Sequence, residues 1–269
     1  MNAFLHHFSF EFRTGIRNRQ LLFMNYLFPL GVYVLIGLIM VQINPLFSDT
    51  AISSMGVFAI TAVALLGVPD PLVTAREAGI FRSYKINGVP SISILTIPGL
   101  TTILHLLVVM AIIVLTAPVL LDAPLPIDWL GFALALLATL FALVGLGLLI
   151  GVVSDSTRMT VLWSQLVFLP SMLVGGIMMP HDFLPETIQR ISLILPPSHA
   201  MVAFQGLAQG AETIFDPTTS LIILFVGGIL AFGLAILLFN WDPHNKTSKG
   251  HPLMALLAIL PYVVGMFMA

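Results

Sequence analysis

The chain has 269 residues, 58% of them hydrophobic and only 8% charged, with a mean hydropathy of +1.06. Soluble domains carry roughly a quarter charged residues, so this composition excludes one and defines an integral membrane protein. A net charge of −2 offers no footing for nucleic acid, and the absence of cysteine excludes a disulfide framework, a thiolate metal site and a thiol nucleophile.

The first twenty residues do not read as a signal peptide, because Phe alternates with His, Glu and Arg and no continuous apolar core forms. Phe4, Phe8, Phe12 and Ile16 recur every four residues while Arg13 and Arg17 project elsewhere. This pattern predicts an amphipathic helix over 1–20, lying in the membrane interface with its cations toward lipid headgroups. A first span follows over 21–42, with Pro29 and Gly31 as kink points, and then a turn without cations. The second span, 51–72, is expected to break where Pro69 and Pro71 reach the membrane surface.

Residues 73–90 form a charged island between two apolar runs, with Arg76, Glu77, Arg82 and Lys85 close together. Charges belong in water, and cations on short loops mark the cytoplasmic side. The third apolar run, 91–121, exceeds one straight span and should tilt, kink at Pro98 or protrude. A fourth span, Trp129–Val153, carries Gly145, Gly147 and Gly151, which let helices approach closely. A fifth covers 160–179. The longest irregular stretch, 180–217, comes next, and within it Phe183, Leu184, Ile188, Ile191 and Leu195 predict one amphipathic helix on or in the outer leaflet. The sixth span, 220–240, leads to the polar run WDPHNKTSKGH and an apolar tail, 252–269. That tail is shorter than the ~20 residues a straight span needs. It crosses obliquely, lies in the interface or packs on other helices; a seventh hydrophobic crossing is the expectation.

Six spans place Arg13, Arg17, Arg19, Arg76, Arg82, Lys85, Arg158, Lys246 and Lys249 on one face and only Arg190 on the other. The reading is a single all-α transmembrane domain over 1–269, with a cytoplasmic N-terminus. Polar side chains inside the spans are the candidates for cargo contact. These are Asn25, His105 and Gln165, with Met172 as an adaptable apolar neighbour. Each reads equally as a core group satisfied by an adjacent helix. No H-E-x-x-H helix or G-x-S-x-G elbow occurs, and the neighbours Ser198 and His199 point in different directions, so no catalytic centre is read. A stand-alone channel or secondary carrier is the rival reading; a carrier should show inverted repeats, and none is clear.

Two stretches carry a family resemblance. One is TAREAGIFRSYKINGVP over 74–90; the other, over 145–200, joins GLGLLIGVVSDSTRMT to LPSMLVGGIMMPHDFLPETIQRISLILPPSHA. At this spacing they resemble the membrane permease of the ABC-2 class of ATP-binding-cassette transporters, an exporter subunit of bacterial type. Ala75 departs from the pattern, since many relatives carry an acidic residue there, and most six-span relatives lack the tail. The resemblance implies that the island docks on a separate ABC ATPase subunit. That subunit would bind ATP and Mg, so this chain, which has no G-x-x-x-x-G-K-[ST] loop, needs no cofactor. Arg76, Glu77, Gly79, Phe81, Arg82, Tyr84 and Lys85 are the implied coupling residues. Phe81 and Tyr84 would anchor the partner while Arg82 and Lys85 set register; the same cations also read as topology signals. Pro180, Phe183, Leu184, Pro185 and Pro196 belong to an implied re-entrant helix pair that gates the outer end. Further implications are a second permease chain, in a homodimer or heterodimer, and a setting in the lipid of the inner or plasma membrane. Spans rich in Leu, Val, Ile and Phe suit an apolar or amphipathic cargo, drug-like or lipid-like.

Overall fold

The computed structural model describes residues 2–44, 47–241 and 250–269. Lys246 and Lys249, used above in counting cations, lie outside the described residues. Helix α1 (Asn2–Arg17) forms where the Phe periodicity puts it. It ends at Asn18, whose side-chain oxygen accepts the N–H groups of Gln20 and Leu21 and so caps the start of α2 (Arg19–Ile43).

Helix α3 (Phe47–Glu77) corrects one expectation, because Pro69 and Pro71 do not end it. Proline lacks an N–H and presses on the carbonyl four residues back. Here the turn before it, Val63–Gly67, is widened, and Val68 N–H bonds to Val63 O five residues back at 3.2 Å. Helix α2 repeats the device before Pro29, with a wide turn at Phe23–Leu27 and Phe28 N–H bonded to Phe23 O. The two wide turns pack together: a Cβ on Gly67 would lie 3.9 Å from Asn25 Oδ1.

After α3, Gly79 takes the left-handed conformation (φ 72°, ψ 11°) that glycine adopts without a Cβ clash, and the short helix α4 (Ile80–Ile86) starts in a new direction. Helix α5 (Ser91–Leu120) stays helical through Pro98 and Pro118. Its 30 residues extend about 45 Å against a hydrocarbon core of about 30 Å. Helix α6 (Trp129–Val153) has the predicted bounds and is the hub of the packing, touching α3, α5 and the helices that follow. Its glycines explain the contact: a Cβ on Gly147 would overlap the Ala64 carbonyl, and one on Gly145 would lie 2.7 Å from Phe232.

Helix α7 (Thr157–Val174) starts and stops earlier than the predicted fifth span. Gly175 ends it, and Gly176 follows with φ 80°. Carrying Arg158, Ser164 and Gln165, it is not among the five described helices long and apolar enough to cross a membrane, which are α2, α3, α5, α6 and α10 (Pro217–Leu238). The stretch after α7 is more regular than predicted. Helices α8 (Glu186–Ser192) and α9 (Pro196–Ala208) form a pair bent by 102°, which would make a sixth crossing if counted as one span. The amphipathic helix expected over 183–195 is shortened to α8, and a second helix starts at Pro196, because the residue before a proline avoids helical geometry. All of Pro196–Ala203 is buried, so the second half of the pair runs through the interior rather than over the surface.

The tail forms α11 (Pro252–Met268) and runs antiparallel to α10. A Cβ on Gly250 would meet Leu238, one on Gly227 would meet Tyr262, and one on Gly265 would meet Ile223. Its first eight residues, Pro252–Ile259, wind as a 3₁₀-helix. The steeper rise lets the tail reach about 30 Å, which a plain α-helix of the same length would not.

Candidate functional site

The charged island separates by burial into a framework and a face. Arg76, 7% exposed, sends Nη1 to the Val152 carbonyl at 2.9 Å and Nη2 to the Ser154 carbonyl. It thereby satisfies carbonyls left open at the end of α6, where a cation also opposes the negative end of the helix dipole. Phe81 is 5% exposed, its ring 5.5 Å from Phe239 just beyond α10, which stacks edge-on with Trp241. The expectation that Phe81 offers its ring to a partner is therefore corrected: the ring pins α4 to the end of α10. Glu77, Arg82, Lys85, Ile80 and Ile86 remain exposed and make the outward face. Tyr84 is half-buried, and burial together with the nearby Glu11 carboxylate holds its phenol above the usual value.

Behind α4 lies a cavity of about 290 Å³ enclosed by α1, α2, α3, α4 and α5. It brings together two residues singled out from sequence, Asn25 and His105, but not Gln165 or Met172, which sit on α7 away from it. His105 is 3% exposed; its Nδ1 lies 2.6 Å from the Tyr26 hydroxyl, and the Phe12 ring stacks on it at 5.0 Å. Sequence reasoning did not find Glu11, Phe12 or Tyr26. An interfacial Phe or Tyr is ordinary in a membrane protein, and nothing local links Tyr26 to a histidine 79 positions away.

At the other end of α10 the bent pair α8–α9 is organised around His199, which is fully buried. Its Nε2–H donates to the Leu193 carbonyl at 2.9 Å, and Nδ1 accepts from the Ser220 hydroxyl at 3.0 Å. The partner is thus Ser220, not the adjacent Ser198, and Tyr262 of the tail covers the ring at 5.9 Å. His181 is buried nearby, and burial pushes its pKa down to about 4 although Asp182 pulls it upward. The proposed gate residues do not share one face. Phe183 and Pro185 are exposed, Pro180 and Leu184 half-buried, and Pro196 is inside the fold.

Long apolar helices packed through glycine contacts define a multi-pass, all-helical membrane protein. A family model described as ABC-2 type transporter matches residues 3–208, and the chain belongs to that family. It is therefore a transporter membrane domain rather than the ATPase of the system. The match runs from α1 through the bent pair α8–α9, while α10 and α11 lie beyond it. Comparison with curated proteins and with solved structures gave no significant match.

Proposed function

We propose that this chain is the permease subunit of an ATP-driven exporter. A separate ABC ATPase docks on the outward face of α4 and moves an apolar or amphipathic molecule across the membrane. The observation that carries the reading is the division of the island: Phe81 and Arg76 tie α4 and the end of α3 to α10 and α6, while Glu77, Arg82 and Lys85 stay on the surface. A force applied to Glu77, Arg82 and Lys85 reaches the spans through those two buried ties. Gly79 lets α4 turn relative to α3. ATP and Mg belong to the partner subunit. Two permease chains, identical or related, face each other across the path in the cell membrane, with α1 and the island on the cytoplasmic side. The re-entrant pair, including Pro180, Phe183, Leu184, Pro185 and Pro196, closes the opposite end, and α11 adds a further crossing. Closure of the ATPase would bias the helical body between inward- and outward-facing packings.

The test is to purify the chain with its ATPase, reconstitute it, and compare wild type with Glu77→Ala at equal membrane level. A coupling residue predicts that stimulation of ATP hydrolysis by the permease is lost while assembly of the fold is kept. Unchanged stimulation would reduce the island to a topology signal. Because the chain has no cysteine, Arg82→Cys and Phe183→Cys report orientation without background. A membrane-impermeant thiol reagent should reach the first from the cytoplasm and the second from outside.

A further inference from the structure

The cavity behind α4 is lined by two polar side chains that keep bonding capacity to spare, Asn25 and His105. Asn25 is 8% exposed, lines the cavity, and makes no side-chain hydrogen bond among the described residues. It sits in the widened turn Phe23–Leu27, a backbone feature that recurs at functional sites. His105 is the second group. The phenol of Tyr26 is the better donor and imidazole nitrogen the better acceptor, so Tyr26 O–H donates to Nδ1 and the ring proton stands on Nε2. Nε2 lines the same space and has no hydrogen-bond partner among the described residues. An amide and an N–H that meet no described protein partner at a cavity wall are placed to bond a ligand or ordered water there.

The cavity is lined by Asn25 and His105, which are buried residues, by Tyr84 and Glu11, which are half-buried, and by apolar residues such as Leu72 and Ile94. Its volume of about 290 Å³ is roughly ten times the liquid volume of one water and at the lower edge of small-molecule sites. That is too little for a lipid with two acyl chains and suits one compact molecule. We propose that the space between α1 and α5 is a binding site for a compact apolar molecule bearing a neutral carbonyl or hydroxyl. The Asn25 amide and the Nε2–H of His105 hold that oxygen, and the apolar body lies along Leu72 and Ile94. Phe81 and Tyr84 form part of the same wall, so an occupant touches the coupling helix. Only this last consequence rests on the function proposed above.

Benzophenone suits the test, being compact, apolar, equipped with one carbonyl, and photoreactive. The purified permease, without any ATPase, is placed in phosphatidylcholine nanodiscs, irradiated with benzophenone and mapped by mass spectrometry. Labelling should saturate and concentrate on the segments around residues 21–25 and 94–105. Benzhydrol, which keeps an oxygen, should compete. Diphenylmethane, which has the shape but no oxygen, should compete about tenfold more weakly, the discrimination expected when a site's polar groups are left unpaired. Asn25→Leu, and separately Thr102→Leu on the cavity wall, should reduce saturable labelling by a similar factor with the melting temperature retained. Labelling that never saturates, or that spreads over outward residues such as Leu115 and Val119, would overturn the site. Equal competition by diphenylmethane would overturn the assigned role of Asn25 and His105. Saturation and competition on the unsubstituted protein decide the matter even where a variant misfolds. A failure here leaves the ATPase-docking reading untouched, since no ATPase is present.

Discussion

The two ends of α10 are built on opposite plans. At its C-terminal end a buried aromatic, Phe81 against Phe239, holds a short helix whose charges remain in the open. At its N-terminal end the arrangement is reversed: a histidine with both ring nitrogens bonded is sealed inside, and the exposed positions include the apolar Phe183 and Ile191. The 22 residues between them separate the ends by about 33 Å. Under the function proposed above one end would be pushed, since apolar packing fixes α4 and leaves its polar face accessible. The other would stay shut, because opening it would strip hydrogen bonds from groups that no lipid can satisfy.

Breaking the apolar tie should have the largest effect. Phe81→Ala removes a buried ring and should cost about 3–5 kcal/mol, read as a fall in thermal stability of the purified permease. Phe239→Ala should reproduce it, and the double variant should show less than the sum because the two rings share one contact. If Phe81→Ala leaves stability unchanged, α4 is not held as described.

Acid probes the sealed end. Folded His181 is neutral, with a pKa near 4, whereas in the unfolded chain it takes up a proton near its ordinary value of about 6.5. Protons therefore favour unfolding: the contribution of His181 is complete above about pH 6.5, declines as pH falls toward 4, and is constant below that. The decline amounts to roughly 3 kcal/mol at most. Comparing melting curves of wild type and His181→Gln across this window isolates it, and parallel curves would remove His181 as the cause.

His199→Phe tests the same end through hydrogen bonding. The ring is replaced by one of similar shape, but Ser220 Oγ and the Leu193 carbonyl lose their partner. The expected cost is about 1–3 kcal/mol, and adding Ser220→Ala should recover part of it. The smallest change in stability should come from Glu77→Ala on the exposed face, within about 0.5 kcal/mol, even though coupling is expected to fail there. A large loss of stability in Glu77→Ala would erase the distinction between the two ends.

Much of this fold was legible because lipid imposes a simple rule: a crossing must be long, apolar and helical. Trp129–Val153 has the same bounds in sequence and structure, and the Phe repeat of α1 and the charged island were equally plain. The glycines of α6 announced close packing, though not that Gly147 would face the Ala64 carbonyl. Proline misled at residue 69, because a local rule about missing hydrogen bonds cannot anticipate a turn that widens one step earlier. Phe81 misled for a different reason. An aromatic beside charges on a short helix looks like an anchor for a partner, and only the position of Phe239, far along the chain, shows that the ring is already taken.

Apolar length and the placement of charge, by themselves, determined that this protein lives in a membrane, where most of its spans run and which segment meets water. Those properties depend on transfer free energy, which is summed along the chain and needs no knowledge of neighbours. Tertiary structure decided which polar groups are satisfied and which are not. His199 found Ser220 and Leu193, Arg76 found the end of α6, and Asn25 found an open space beside His105. Hydrogen bonds and cavities depend on atoms brought together from distant positions, so they exist only once the helices have packed.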